Sequence, residues 1–272
     1  MPATDLSDRR RVMLDAVREA GVLAMDYFRT GAKKWEKAAD DPVTEADLAV
    51  DALLRERLLG ALPGDGWLSE ESARSPHAPD QPFTWVVDPI DGTRAFIDRK
   101  PHFTICAALV GDGTSLLAAV LNPATGELFE AQAGGGARCN GEPIAVSSHA
   151  ELKDARIIGY RAMFDAKHWR TPWPRVKVDM VNSIAYRLVL VARGDHDACI
   201  NLKPQNDWDI AAAELILREA GGVCTNRDGD PYRFHGSGGK NQNVIAANPV
   251  LQARLVDKLR EFEPKVPKQP AS

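Results

Sequence analysis

Two aspartates, Asp88 and Asp91, bracket a proline and an isoleucine in the stretch D88-P-I-D-G-T93, directly after the apolar run F83-T-W-V-V87. An ordinary strand-to-helix turn capped by Asp91 accounts for the composition, since Asp and Gly are common turn residues. It leaves the order of the residues unexplained. Three more acidic features accompany it: Asp47 in P42-V-T-E-A-D47, Glu70 and Glu71 in W67-L-S-E-E-S72, and Asp209 in W208-D209. Singly, each has a structural account. Asp47 follows Thr44 at capping-box spacing, Asp209 places negative charge at a helix N-terminus, and Glu70 and Glu71 fit a solvated loop.

Brought together, Glu70, Asp88, Asp91 and Asp209 would repel one another severely unless cations neutralised them. Hard carboxylate oxygens suit Mg2+, which binds through few protein ligands and leaves room for water and a substrate phosphate. Pro89 stiffens the turn so that both aspartates can face one centre, and Gly92 admits a ligand close to the backbone. The N–H groups from Gly92 onward would form an anion site at a helix start. Cations beside a phosphate cradle imply phosphoryl chemistry.

The elements that must position these residues follow from periodicity. Val12, Met13, Ala16, Val17, Ala20, Leu23, Ala24, Tyr27 and Phe28 recur at helical spacing after a cap at Ser7 or Asp8. A second helix starts at Thr44 and carries Leu48, Leu53, Leu54 and Leu58; a polar loop or hairpin, K33 to P42, precedes it. Strands are expected over 83–87, 103–110 and 116–121, with hairpin turns at P123-A-T-G126 and C139-N-G-E142. Beyond a polar boundary near residue 145, strands at 155–160 and 197–202 alternate with helices at 182–192 and 208–222, then a strand at 244–248 and a helix from Pro249. The reading is α+β, or a layered α/β pattern with a substantial antiparallel sheet. It divides into an N-terminal half (1–145) with the acidic motifs, a C-terminal half (146–264) completing the site, and a disordered tail at 265–272.

The bulk composition narrows the partners. The 272 residues are 44% hydrophobic and 26% charged with net charge −4, which gives no electrostatic case for a nucleic-acid polymer or a membrane surface. Four dispersed cysteines without a C-x-x-C pair exclude zinc-ligand spacing, and the charged start lacks a signal-peptide core, so a reduced, cytoplasmic protein is expected. G134-G-G136 reads as a hairpin, G236-S-G-G-K240 lacks the pattern of a phosphate-binding Walker loop, D195-H-D197 reads as a solvated turn, and the six tryptophans read as packing.

In the same order along nearly the whole chain, T44-E-A-D47, E70-E71, D88-P-I-D-G-T93 and W208-D209 resemble the motifs of the inositol monophosphatase family. The resemblance implies a layered αβαβα sandwich with the site between its halves, and lithium-sensitive hydrolysis of phosphomonoesters with two or three Mg2+ per site. It implies that Glu70, Asp88 and the carbonyl of Ile90 hold one Mg2+, and that Asp88, Asp91 and Asp209 hold a second. Asp47 and Thr93, with Glu70 in the catalytic set, would orient and deprotonate the attacking water, and N–H groups at Gly92 and Thr93 would hold the phosphate. L68-S-E-E71, T93-R-A-F-I97 and F103-T104 look closer to the bisphosphate nucleotidases, although histidinol-phosphate phosphatases carry similar Thr-Arg-Ala-Phe stretches. Many inositol-type enzymes place a carboxylate shortly before the Trp-Asp pair; this chain has Lys203 there, and N182-S183 departs from the Gly-Ser frequent in nucleotidases.

The expected substrate is therefore adenosine 3',5'-bisphosphate, its second phosphate met by Arg187 and Lys203, with inositol 1-phosphate and histidinol phosphate as alternatives. A non-catalytic metal- or nucleotide-binding sensor is the rival from another class, though a sensor need not keep Asp47 and Thr93. The resemblance also implies a homodimer. Whether Lys34 or Lys37 reaches the site from its polar loop stays open.

Overall fold

A computed structural model describes residues 6–38, 41–72, 81–234, 240–241 and 243–262; the expected tail at 265–272 and the glycine-rich stretch 236–239 lie outside them. Helix α1 (Leu6–Thr30) buries Met13, Val17, Ala20 and Ala24 along one stripe. A short antiparallel hairpin follows, β1 (Lys34–Ala38) and β2 (Asp41–Thr44). Helix α2 (Glu45–Ala61) starts from the cap Thr44 and buries Asp47, Val50, Leu54 and Leu58. Leu48, expected on the buried stripe, is 43% exposed because the stripe runs through Asp47 instead.

Next come β3 (Gly66–Ser69), β4 (Phe83–Asp91), the short helix α3 (Thr93–Ile97), β5 (Thr104–Gly111), β6 (Thr114–Asn122), β7 (Glu127–Gln132), β8 (Ala137–Cys139) and β9 (Glu142–Pro143). Strands β3 to β9 form a seven-stranded sheet in chain order, parallel at β3–β4 and antiparallel beyond. Short turns enforce the meander. Asn140 and Gly141, both at positive φ (50° and 86°), close the last hairpin as the Asn-Gly pair predicts.

The remaining elements are β10 (Arg156–Gly159), β11 (Lys177–Asp179), α4 (Ile184–Ala192), β12 (Ala198–Asn201), β13 (Gln205–Asn206), α5 (Asp207–Glu219), β14 (Val223–Thr225), β15 (Lys240–Asn241), β16 (Val244–Ala247) and α6 (Pro249–Leu259). A second sheet has the order β11-β10-β12-β16-β14, with β10 parallel to both neighbours.

Period-two alternation assigns the faces of each strand to different layers. Trp85, Val87, Ala107 and Leu109 pack with residues of α1 and α2, whereas Val86, Ala108 and Val120 pack with α4 and α5. Ile158, Cys199 and Ala246 of the second sheet close on the same two helices, while Ile157, Ile200 and Ile245 meet Leu251 and Leu255 of α6. The result is the αβαβα sandwich that the motifs imply. All nine residues of α4 are buried, as expected for a helix between two sheets.

Candidate active site

The strand expected over 83–87 runs on through Asp91, so Asp88 and Asp91 belong to the end of β4 and not to a separate turn. Its register with β5 slips between Asp88↔Cys106 and Asp91↔Thr104, placing two residues of β4 against one of β5. Residues three apart on an unbroken strand face opposite sides; one extra residue returns them to the same side. Pro89 lies inside the slip, a tolerated place for a residue with no N–H. Both aspartates thereby face the central helical layer, into which Cys106, opposite Asp88, also packs.

The N-termini of three helices meet them there. Ser183, the N-cap of α4, donates its hydroxyl to Asp91 Oδ2 at 2.6 Å, and the Ala185 N–H donates to the same oxygen at 2.7 Å. Thr104 Oγ1 lies 3.0 Å from Ser183 Oγ, extending the network to β5. Burial still pushes Asp91 up to a pKa of about 6, against these bonds. At the start of α5, the Asn206 N–H donates to Asp209 Oδ2 at 2.5 Å. Burial foremost, then the charge of Asp91, moves Asp209 well above the usual carboxylate range.

Asp47, at the third position of α2, accepts at Oδ2 from the Thr44 N–H (2.9 Å) and the Thr44 hydroxyl (2.6 Å), completing the expected capping box. Its Oδ1 faces the Thr93 hydroxyl at 3.2 Å, and that hydroxyl is also 3.2 Å from the Ile90 carbonyl. Burial raises Asp47 to about 6, with Glu70 adding to the effect. Thr93 is held by α3, whose Phe96 packs edge-on to Phe103 and against Phe28. Gly92 caps α3 at φ 98°, and a Cβ there would stand 2.7 Å from the His102 carbonyl, so the turn demands glycine.

Asp88 stands among these groups, 1% exposed, with Oδ1 buried and lacking a hydrogen-bond partner. Burial, then the charges of Glu70, Asp91, Asp209 and Asp47, drive its pKa far above the usual carboxylate range. Glu70 extends beyond β3, and Lys37 reaches it: Nζ lies 3.2 Å from Glu70 Oε1 and also bonds Glu71 Oε1. Glu71 is not solvated, its side chain being 4% exposed, and burial raises it to about 7 despite that ammonium. Lys34 instead lines a neighbouring cleft with Trp35 and Arg94.

The two proposed phosphate partners fare differently. Arg187 is 3% exposed and donates from Nε and Nη2 to the carbonyls of Val181 (2.5 Å) and Asn182 (3.2 Å), so it braces the loop before α4 and is not an open anion receptor. Lys203 is exposed, with Nζ 5.1 Å from the centre of the Tyr160 ring; the Arg187 guanidinium lies 5.4 Å from the same ring. Tyr160 follows β10 and Lys203 follows β12, at the matching ends of parallel strands where α/β sheets open crevices.

Elsewhere, Gly134 and Gly136 donate their N–H groups to the Glu219 carboxylate at 2.9 and 3.0 Å, within the expected hairpin. Of the D195-H-D197 stretch, Asp195 is exposed in a turn and paired with Arg193, and His196 Nε2 lies 3.0 Å from Asp179 Oδ2, whereas Asp197 is buried and salt-bridged to Arg156. Trp35 is 43% exposed on β1, unlike the buried Trp67 and Trp85.

The arrangement is a buried knot of acids around a hydroxyl–carboxylate pair, and the chain matches a known family over its length. The sequence model of the inositol monophosphatase family matches residues 5–263. The chain belongs to this family. It is 34% identical to an inositol monophosphatase of Dictyostelium discoideum over 261 residues, covering 89% of this chain and 91% of that protein. It is 32% identical to a histidinol-phosphatase of Chlorobaculum parvum over 257 residues, covering 90% and 94%. Among solved structures, an inositol monophosphatase of Thermotoga maritima superposes with TM-score 0.81 at 28% identity, covering 93% of this chain and 97% of that one. As a member of the inositol monophosphatase family, the chain is a phosphoric monoester hydrolase.

For the family's metal, the donor set fits. It consists of hard oxygens, it carries an orphaned buried carboxylate oxygen on Asp88, and burial followed by the neighbouring acids holds the Asp88 pKa up. Among the described residues, no three acids, imidazoles or thiols already converge as a closed metal shell. Glu70, Asp91 and Asp209 are each drawn to a protein donor, namely Lys37, Ser183 and Asn206.

The sequence reading missed Ser183 and Tyr160 as site residues, gave Glu71 no role beyond a solvated loop, and left open whether Lys37 reaches the site, which it does through Glu70. A serine just before an apolar helical run signals an N-cap, yet its acceptor lies 92 residues upstream.

Proposed function

We propose that the chain is a Mg2+-dependent phosphomonoesterase that hydrolyses a small phosphate ester by attack of an activated water. The observation that carries the reading is the buried Asp88 carboxylate, with an unpartnered oxygen, facing three further acids and the Asp47–Thr93 pair. Glu70, Asp88, Asp91, Asp209 and the Ile90 carbonyl would hold Mg2+, in two or three positions. When bound, Mg2+ lowers the pKa of water and offsets the charge of the phosphate.

The chain's own residues divide the remaining work. Asp47 has one oxygen occupied by two Thr44 donors, which leaves Oδ1, beside the Thr93 hydroxyl, to take the proton of the attacking water. A pKa near 6 keeps most of it ionised at pH 7 yet basic enough to accept a proton, the balance a general base needs. Thr93 can pass its own hydrogen bond to the Ile90 carbonyl and accept from the water, which orients the nucleophile. The N–H groups of Gly92 and Thr93, at the first turn of α3, would receive the phosphate oxygens.

For the substrate we favour a nucleoside 3',5'-bisphosphate. Lys203 offers an exposed cation beside the flat face of Tyr160, which supports a leaving group with a base to stack and a second phosphate to pair. A polyol such as inositol calls for acceptors at that position. Phosphate release measured side by side from adenosine 3',5'-bisphosphate, inositol 1-phosphate and histidinol phosphate tests this. A tenfold advantage in kcat/KM for either monophosphate, about 1.4 kcal/mol of transition-state binding, overturns the nucleotidase reading and leaves the metal chemistry standing. No Mg2+-stimulated release from any of them favours the sensor. The proposal extends to a homodimer in the cytoplasm inhibited by Li+.

A further inference from the structure

Lys37 belongs neither to the proposed ligand set nor to the water-activating pair, yet the local fold aims it at the site. The hairpin register pairs Glu36 with Pro42 and Ala38 with Asp41, leaving Lys37 as the extra residue of a β-bulge. Bulges re-aim side chains beside functional sites, and Pro42, lacking an N–H, weakens the ladder next to the bulge. From this position the ammonium contacts both Glu70 and Glu71. Glu71 is a nearly buried carboxylate with no role in the proposed chemistry, and Lys37 is its salt-bridge partner.

We propose that Lys37 is a positioning residue acting through Glu70: it serves as that carboxylate's resident counter-cation and yields it to Mg2+, while Glu71 keeps the ammonium parked at the edge of the site. The proposal rests on the reading of Glu70 as a metal ligand. An ammonium and a divalent cation cannot share one carboxylate at close range without repelling each other, so metal uptake must lengthen or break the Lys37–Glu70 contact. Glu71 offers the displaced charge a second acceptor without requiring the hairpin to leave. Metal affinity is thereby lowered by the strength of the contact surrendered, which for a partly exposed pair is at most about fivefold in an equilibrium constant.

The test is Mn2+ binding to the substrate-free protein, followed by electron paramagnetic resonance, for wild type, Lys37→Met and Lys37→Arg. Lys37→Met should bind Mn2+ more tightly, by up to about fivefold, and Lys37→Arg, which keeps the charge, should match wild type. A purely structural role for Lys37 would loosen binding, not tighten it. Unchanged or weaker binding by Lys37→Met, beside normal uptake by wild type, overturns this proposal alone. No Mn2+ uptake by wild type overturns the metal assignment and this proposal with it.

Discussion

Replacing Asp47 by asparagine removes a charge whose pKa burial holds at about 6, against 3.8 for an ordinary aspartate. Because the folded-state value is the higher one, ionisation penalises the fold. The penalty is absent below about pH 4, grows between about 4 and 6, and is complete above that window. At about 1.4 kcal/mol per pH unit of displacement, it reaches on the order of 3 kcal/mol at neutral pH. Asparagine keeps a carbonyl to accept from the Thr44 N–H and hydroxyl, so the capping box survives. Its amide can donate to Thr93 Oγ1, whose proton turns to the Ile90 carbonyl. Metal-free Asp47→Asn should therefore melt above wild type at pH 7.5, by roughly 6–12 °C at the 2–4 °C per kcal/mol usual for a chain of this size. The gain should shrink as pH falls through 6 and vanish near 4. Turnover should fall by roughly 10²- to 10⁴-fold, the range of general-base catalysis. Differential scanning fluorimetry in chelator at several pH values, with phosphate release at saturating Mg2+, reads both effects. A variant that melts below wild type at pH 7.5, or that keeps near wild-type kcat, refutes the reasoning.

Two further substitutions separate roles within the site. Thr93→Ala should lower kcat by on the order of 10²-fold while leaving Mn2+ affinity intact; a parallel loss of metal affinity would make Thr93 structural. Ser183→Ala removes both the α4 cap and the 2.6 Å bond to Asp91, and should weaken Mn2+ affinity by roughly 10- to 100-fold, the usual effect of removing a group that orients a ligand. Ser183→Thr should restore it, and unchanged affinity in Ser183→Ala would show that Asp91 does not depend on this bond.

The acids of the site were legible because their local roles leave marks at short range. Asp47 stands at capping-box spacing from Thr44, Asp209 follows a helix start, and Asp88 and Asp91 flank a proline at the end of an apolar strand. What lies at long range left no such mark. The bulge that turns Asp88 and Asp91 to one side is a property of pairing with β5, and no pattern within β4 reveals it. Arg187 read as an available cation because sequence does not show that the carbonyls of Val181 and Asn182 claim it. Whether Lys37 reaches the site stayed open because the bulge that aims it depends on pairing with Pro42 across the hairpin. Period-two and helical patterning made an α+β chain with a substantial antiparallel sheet readable, while the αβαβα layering came from the family resemblance; patterning failed at faces such as that of Leu48, where the buried Asp47 displaced the expected apolar stripe.

The central claim is that the buried acids exist to hold Mg2+ for phosphate-ester hydrolysis, and Asp88 stands among them. The direct measurement is steady-state phosphate release by wild type and Asp88→Asn across a Mg2+ titration. Wild type should show saturable Mg2+ dependence, and Asp88→Asn should lose roughly 10³-fold or more in kcat, as when a principal electrostatic group is removed from an active site. Near wild-type turnover by Asp88→Asn at saturating Mg2+ would contradict the account.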